Sequence, residues 1–303
     1  MNAWRVLAVA AVVTLIIVAR ARAQEMLEIE ACNDWRGKRF SVEARIDGCT
    51  ALIRSGKLTA KNLESAYLNR GLEYQAKGDL DRAIADYDEA IRLDPYFAKA
   101  YLNRGYGYEA KGDLDRAIAD YTEAIRFDPY FAKAYSDRGT AWSAKGDHDR
   151  AIADHNEAIR IDPKSAVYIA NRGVAWSAKG DLDRAIADYT EAIGLDPDFA
   201  LAYRDRGIAW RAKGDLGRAI ADFTEAIRLD PKSAAAYNDR GAAWSAEGDL
   251  ERAIADYNEA IRLNPELVMA YRNRGLVKRQ KGDRRGGDED IAAAKKINPN
   301  IGH

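Results

Sequence analysis

The sequence predicts an all-α protein, a solenoid of seven tandem helical hairpins. All seven prolines, from Pro95 to Pro299, are spaced by 34 residues, and self-similarity at a fixed period is the signature of repeat architectures. Glycine and aspartate recur in the same register. Apolar residues within each period follow the helical spacing of about 3.6 residues, and no segment shows the alternation of a β-strand.

The composition excludes several classes of protein. The 303 residues include 47 Lys and Arg against 48 Asp and Glu, for a net charge of -1. A dedicated nucleic-acid-binding protein normally carries a basic excess, so we expect no nucleic-acid partner. The hydrophobic fraction of 47% is too high for a disordered chain. Two cysteines and three histidines leave little material for a metal cluster, and we expect neither a metal nor a cofactor.

Residues 1–23 are predicted to be a secretory signal peptide. Arg5 precedes an apolar run over residues 6–18, and the small residues Ala21 and Ala23 provide a cleavage site. The run is short for a transmembrane span, although an uncleaved membrane anchor remains the alternative. Cleavage removes three arginines, so the net charge of the mature chain falls from -1 to -4. The expected location is the bacterial periplasm.

Residues 24–63 are predicted to cap the repeats. Cys32 and Cys49 both lie in this segment, and a disulfide between them would persist in an oxidising compartment. Closing a loop of this size stabilises by about 3 kcal/mol; two separate buried thiols are the alternative. Residues 45–54 resemble the second helix of a repeat, offset by four residues, with Cys49 in an aromatic position. We therefore expect a degenerate half-repeat held by the disulfide, with Trp35 packed beneath it.

The repeats themselves occupy residues 64–301. In a register that places each proline at position 32, glycine fills positions 8 and 15 and aspartate fills position 16 of every unit. No insertion interrupts this register. The seven units are 64–97, 98–131, 132–165, 166–199, 200–233, 234–267 and 268–301.

Each unit is predicted to form two helices, A and B. In unit 132–165, Ala134, Tyr135, Gly139 and Trp142 recur at the spacing of an amphipathic helix A. A Lys-Gly-Asp turn follows, whose glycine can adopt a left-handed conformation and whose aspartate can cap helix B. Helix B carries one apolar stripe and ends before the proline, which cannot continue a helix. One hairpin cannot bury both stripes alone, so neighbouring units must stack.

This pattern resembles the tetratricopeptide repeat (TPR) family over residues 64–301. The family has an aromatic, glycine, aromatic, alanine, aromatic, alanine and proline at seven fixed positions, which the second unit matches with Tyr101, Gly105, Tyr108, Ala117, Tyr121, Ala124 and Pro129. The resemblance implies a right-handed superhelix whose concave groove is lined mainly by A helices. Position 7 departs from the family, because arginine replaces the usual leucine in all seven units.

No catalytic constellation is evident, and we predict that the protein is not an enzyme. His148 and His155 lie on one predicted helix B, where packing and surface variation account for them. Carboxylates recur in columns, and a residue present in every unit serves the unit. The position 7 arginines can pair with the position 23 aspartates, from Asp86 to Asp290. Arg82 and its counterparts lie four residues before those aspartates and can pair along the helix.

Function is therefore sought where the units differ, on helix A. Position 6 is a ladder of Asn and Asp, which in the family faces the groove and can hold a peptide backbone. Positions 5 and 9 of the first two units offer an apolar wall. Arginines of the fifth and seventh units suit an acidic group, or form a solvated basic face neutralised by Asp205 and Asp239. The predicted site residues are Asn69, Asn103, Asp137, Asn171, Asp205, Asp239 and Asn273 of the ladder, Leu68, Leu72, Leu102 and Tyr106 of the wall, and Arg204, Arg211, Arg272 and Arg279.

The leading hypothesis is a non-catalytic scaffold, exported to the cell envelope, that binds a protein or peptide partner in the groove. An acidic partner would complement the arginines. The alternative hypothesis is a membrane-anchored assembly factor for envelope complexes that keeps its N-terminal apolar segment. Only in that case do we expect contact with a membrane.

Overall fold

The computed structural model describes residues 19–34, 37 and 39–300, and among these residues the only regular elements are helices. The chain divides into two compact units, Met1–Lys145 and Gly146–His303. In the first unit, residues 19–33 form α1, followed by α2 (Val42–Ser55), α3 (Ala60–Ala76), α4 (Leu80–Leu93), α5 (Ala98–Ala110), α6 (Leu114–Phe127) and α7 (Ala132–Ala144). The second unit contains α8 (His148–Ile161), α9 (Ala166–Ala178), α10 (Leu182–Leu195), α11 (Ala200–Ala212), α12 (Leu216–Leu229), α13 (Ala234–Glu247), α14 (Leu250–Leu263), α15 (Val268–Gln280) and α16 (Arg284–Ile297). From α3 onward, odd-numbered helices are the predicted A helices and even-numbered helices the B helices.

The turn between helices A and B is set by one glycine and one aspartate. Gly78 has a φ of +77°, a left-handed conformation that glycine adopts without steric cost. The Asp79 side chain then accepts a hydrogen bond of 3.2 Å from the backbone N–H of Arg82 and caps α4. Positive φ angles recur at Gly112, Gly146, Gly180, Gly214, Gly248 and Gly282. This turn chemistry determines where each B helix begins.

Helices A and B of one repeat meet where a glycine faces an aromatic ring. A Cβ built on Gly105 would lie 2.7 Å from Cε1 of Tyr121, well inside the contact distance of two carbon atoms. Tyr121 is fully buried and fills the space that the glycine leaves. Gly207 and Phe223 repeat this contact in the second unit, at 2.8 Å. Close packing therefore accounts for the glycine at position 8.

The N-terminal segment forms a helical hairpin rather than a lone half-repeat. The predicted B-like helix is α2, and α1 supplies a partner that the sequence pattern did not reveal. The two helices are so close that a Cβ on Gly48 would lie 2.8 Å from the backbone oxygen of Glu28. Arg70 donates to Oγ1 of Thr50 at 3.1 Å, as the arginine one repeat later donates to Asp88. Thr50 therefore accepts the hydrogen bond that Asp88 accepts one repeat later. A shift of one whole repeat would place this acceptor at residue 54, so Thr50 agrees with the predicted offset of four residues.

The two cysteines join this hairpin. The Sγ atoms of Cys32 and Cys49 lie 2.05 Å apart, as in a disulfide bond, and connect the end of α1 to the middle of α2. Trp35, predicted to pack beneath, lies outside the described residues, as do residues 1–18 of the predicted signal peptide. Residues 19–23 form an exposed first part of α1. Within the described ranges, no helix combines the length and apolarity needed to cross a membrane.

Candidate functional site

The arginines at position 7 hold the repeats together. Arg104 of α5 donates from Nε and Nη2 to both carboxylate oxygens of Asp120 on α6, at 2.8 and 2.7 Å. Its Nη1 reaches Asp88 of the preceding helix B at 2.6 Å. Bidentate pairs of this kind confirm the predicted pairing for Arg70–Asp86, Arg104–Asp120, Arg172–Asp188, Arg206–Asp222, Arg240–Asp256 and Arg274–Asp290. These arginines are engaged within the chain and cannot serve a ligand.

The predicted pairing of Arg82 with Asp86 along the helix is wrong. Arg82 instead pairs with the N-cap Asp79, with Nε 2.6 Å from Oδ2, and its guanidinium lies 4.4 Å from the centre of the Tyr74 ring. Asp86 is buried and already bound by Arg70. Because the N-cap carboxylate keeps one oxygen free at the start of the helix, it is the nearer acceptor.

In the first unit, the ladder at position 6 makes contacts within the chain. Asn69 donates to the backbone oxygen of Cys32 at 3.1 Å, so the N-terminal hairpin occupies the place predicted for a peptide. Asn103 donates to the Lys99 oxygen of its own helix at 2.8 Å. Asp137 pairs with Lys133 at 2.6 Å. These three residues are placed as helix-to-helix or same-helix links, and their binding of a partner remains a prediction.

In the second unit, the ladder links successive A helices. Asp239 of α13 accepts from Nε of Arg204 on α11 at 2.7 Å, and Asn273 of α15 donates to Asn238 of α13 at 3.1 Å. Asn171 is half-buried on α9. Position 6 of one repeat thus contacts position 5 of the repeat before it. The sequence offered Asp239 as a carboxylate that could neutralise the arginines, but it did not indicate the contact between Asn273 and Asn238, because these positions lie 35 residues apart.

Asp205 is paired more weakly than Asp239, the ladder residue of the next repeat. Its closest cation is Arg204, whose Nη1 lies 3.9 Å away and whose Nε is engaged by Asp239. Burial raises the pKa of Asp205 to about 6; Arg204 lowers it and the nearby Asp239 raises it further. Neither α9 nor α11 brings a further cation to this carboxylate among the described residues.

The predicted apolar wall is smaller than expected. Leu68 and Leu102 are only 8% and 6% exposed, because each packs into the core beside the buried aromatic ring of its own repeat. Leu72 is half-buried against the same kind of core. Only Tyr106, 48% exposed, presents a large surface to solvent. Leu68, Leu72 and Leu102 therefore pack into the core and do not form the predicted apolar wall.

The four predicted arginines do not form one free set. Arg204 is paired with Asp239. This pair agrees with the alternative hypothesis that aspartates neutralise the arginines. Arg279 pairs with Asp288 of α16, with Nε 2.7 Å from Oδ1. Arg211 and Arg272 are half-buried, and no carboxylate of the described ranges lies within ion-pair distance of either. Two of the four therefore stay available to an anionic group.

The histidines occupy packing positions. His155 is 1% exposed and takes the buried aromatic position of its helix B. Burial, with a smaller contribution from Arg172, lowers its pKa to about 4, so the ring is neutral at physiological pH. His148 is the half-buried first residue of α8. No group of three or more potential metal ligands is found within the described ranges.

Comparisons with known proteins give one consistent result. Sequence profiles described as tetratricopeptide repeat match residues 65–97, 98–131, 132–165 and 175–234, and one described as TPR repeat matches 245–282. No curated protein matches the chain.

Solved structures agree on the fold. The chain is similar to a tetratricopeptide repeat protein from Parabacteroides merdae, with a TM-score of 0.66 and 18% identity over 89% of this chain and 99% of that one. It is similar to the APC/C hetero-tetramer Cut9-Hcn1, with a TM-score of 0.66 and 17% identity over 92% of this chain. It spans only 56% of that chain. Pseudomonas aeruginosa pilF is also similar, with a TM-score of 0.59 and 17% identity over 67% of this chain and 92% of that one. At these identities the likeness establishes the fold alone.

Proposed function

Because the chain belongs to the tetratricopeptide repeat family, we propose that it is an exported, non-catalytic scaffold that binds a protein or peptide partner on the exposed side of its A helices. One observation carries the proposal. Residues common to all repeats, such as Arg70 with Asp86, are engaged within the chain. Large apolar side chains that differ between repeats are exposed on A helices, for example Tyr106 at 48% and Leu201 at 52%.

The absence of a catalytic role is supported by where the reactive side chains lie. His155, the most buried histidine described, fills a core position. The carboxylates at position 23 are held by arginines in bidentate pairs. His155 and the position 23 carboxylates are thus engaged in packing and in ion pairs between helices.

Export is supported by the cysteine pair and by the exposed N-terminal end of α1. A disulfide between Cys32 and Cys49 would be stable in an oxidising compartment and rare in the cytosol. Cleavage after Ala23 would remove only exposed residues from the start of α1, so the hairpin can survive it. Both features fit a secreted mature chain that begins at Gln24.

Partner capture tests the scaffold. The purified protein would be incubated with an envelope extract and with a cytosolic extract, and bound proteins identified by mass spectrometry. A variant carrying Tyr106→Ser, Leu201→Ser and Leu276→Ser removes apolar surface from A helices only. A matched control carrying Tyr130→Ser and Leu195→Ser removes exposed apolar surface, 75% and 43% exposed, outside the A helices.

We expect a partner from the envelope extract that the control retains and the A-helix variant loses. If none of the three proteins captures a partner, or if all three capture it equally, the result would count against binding on the A helices. Intact mass of the protein recovered from its host tests export separately. A mass that begins at Gln24 supports the exported scaffold, and retention of residues 1–23 supports the membrane-anchored assembly factor.

A further inference from the structure

Helices α11, α13 and α15 share a face on which two similar ridges flank a row of small side chains. Side chains three and four residues apart project from the same side of a helix. Because α11 contacts α13 and α13 contacts α15, the row on α13 lies between the other two. The ridges are Leu201, Arg204, Ile208 and Arg211 on α11 and Met269, Arg272, Leu276 and Arg279 on α15, and the row is Ala235, Asn238, Ala242 and Ser245. We call these residues the α11–α15 face.

The ridges of the α11–α15 face expose apolar surface. Leu201 on α11 is 52% exposed, and Met269 and Leu276 on α15 are 45% and 44% exposed. A cavity of about 220 Å³ opens beside Leu201 and Arg204, with Ala226, Ala236 and the carboxylate of Asp230 in its lining, so it suits an uncharged anchor side chain rather than an acidic one. The cavity has room for one apolar side chain of a ligand. The small side chains of α13 would let a peptide backbone lie close to the helix.

The charge on the same face is unevenly compensated. Arg204 and Arg279 are bound by Asp239 and Asp288. Arg211 and Arg272 are half-buried and have no carboxylate within ion-pair distance in the part of the chain that the structure describes. A half-buried guanidinium gains most from a carboxylate, which accepts two charge-assisted hydrogen bonds from its planar fork. The face is therefore complementary to an acidic group rather than a basic one.

We propose that the α11–α15 face binds an acidic peptide segment that carries an apolar anchor residue. The apolar anchor lies against Leu201, Met269 or Leu276 and enters the cavity beside Leu201. Carboxylates of the peptide pair with Arg211 and Arg272. This inference rests on the proposed function and specifies the chemistry of its partner.

A peptide selection tests the chemistry directly. Short random peptides displayed on phage would be selected on the purified protein, and Kd values of the enriched peptides measured by fluorescence anisotropy. We expect enriched peptides to combine Asp or Glu with Leu, Met or Phe. Arg211→Glu and Arg272→Glu are each expected to weaken binding by about tenfold or more, since each loses a charge-assisted hydrogen bond. Added salt is expected to weaken binding as well.

Matched variants separate recognition from folding. Arg228→Glu makes the same charge change on α12, where Arg228 is exposed and paired with Glu225, and is expected to leave Kd unchanged. Arg211→Gln and Arg272→Gln remove the charge with less disturbance and are expected to weaken binding by a smaller factor. Circular dichroism would confirm that each variant is helical.

The opposite results overturn the inference. Enrichment of basic or uncharged peptides would do so, as would equal affinities of the parent protein and the Arg211→Glu and Arg272→Glu variants. Partner capture distinguishes this failure from failure of the scaffold proposal. If the parent protein and Arg211→Glu capture the same envelope partner, the scaffold stands and the α11–α15 face is the wrong surface. If neither captures a partner, the scaffold proposal itself fails.

Discussion

Asp205 and Asp239 occupy the same position in successive repeats but have opposite electrostatic surroundings. Asp239 accepts a hydrogen bond of 2.7 Å from Arg204, whereas Asp205 lies 3.9 Å from a nitrogen of the same arginine. Both carboxylates are largely withdrawn from solvent, since the side chain of Asp239 is 12% exposed and that of Asp205 is 19% exposed. Burial without a close cation penalises the charged form of Asp205 and favours the protonated one.

Replacing Asp205 should therefore stabilise the protein in a way that depends on pH. The folded-state pKa of Asp205 is raised from 3.8 to about 6, so its contribution to stability is greatest below pH 3.8 and declines as pH rises towards 6. At pH 8 the ionised carboxylate costs up to about 3 kcal/mol. We expect Asp205→Asn to raise the free energy of unfolding at pH 8 and to have little effect near pH 4, as measured by urea denaturation.

Asp239→Asn is the control for this measurement. It removes the carboxylate that binds Arg204 and leaves a half-buried guanidinium without its acceptor, so it should destabilise at pH 8. The charged groups that face the Asp205 carboxylate are Arg204 and Asp239, so both substitutions act on the same cluster of charges. Equal effects of the two substitutions, or an Asp205→Asn effect that does not change with pH, would contradict the assignment.

Some residue-level contacts could be predicted from the sequence and others could not. Arg70 and Asp86 are members of columns that never vary, and two invariant columns of opposite charge on packed helices predict an ion pair. The pair between Arg204 and Asp239 occurs at one junction only, so no column indicates it, and the sequence offered Asp239 only as one of two aspartates that could neutralise the arginines. Burial of Leu68 was likewise hidden, because a leucine suits both a core and an exposed wall.

At the scale of elements, α1 is the helix most weakly held by packing in the first unit. Only Ala31 and Cys32 of its described residues are buried, while Met26 and Leu27 are 56% and 44% exposed. Its ion pairs with Lys57 and Arg39 are exposed and so contribute little. The covalent link from Cys32 to Cys49 is therefore the main attachment of α1 to α2, and the hydrogen bond from Asn69 to the Cys32 oxygen joins it to the first repeat.

Breaking that link should loosen α1 without disturbing distant helices. We expect reduction, or the double substitution Cys32→Ser and Cys49→Ser, to destabilise the N-terminal hairpin by about 3 kcal/mol, the loop-entropy value for a bridge of this span. Hydrogen exchange read by mass spectrometry should speed up over residues 24–33. Helices α11 to α15 should keep their protection, because repeats contact only their neighbours.

The serine variant supplies the control, because a reducing agent should change the parent protein and leave the variant unaffected. Unchanged protection of α1 after reduction would show that packing alone holds it.

The sequence predicted α2 from its likeness to helix B but not α1 as its partner. Residues 19–33 combine a signal-like start with charged residues, so the sequence did not reveal that they pack closely against Gly48 of α2.

At the scale of the whole molecule, a row of ion pairs links neighbouring repeats within each unit. The lysine before each turn reaches an acidic residue at the start of the preceding helix B, as in Lys111–Asp81, Lys145–Asp115, Lys179–Asp149, Lys213–Asp183 and Lys281–Glu251. The row breaks once in the second unit, where Glu247 replaces the lysine and Gly217 replaces the acid. Because glycine faces the glutamate, two like charges do not meet.

Restoring the missing pair tests how much such rows contribute to a repeat protein, in which stability is the sum of repeats and nearest-neighbour interfaces. Gly217→Asp should stabilise α12 slightly by placing an acid in its first turn, offset by repulsion from Glu247. Combined with Glu247→Lys, it should gain about 0.5 kcal/mol beyond the sum of the single changes, the value of an exposed pair. Urea denaturation of all four proteins measures this coupling, and high salt should reduce it. Strict additivity at low salt would mean that the row sets only the alignment of neighbouring repeats and adds no stability.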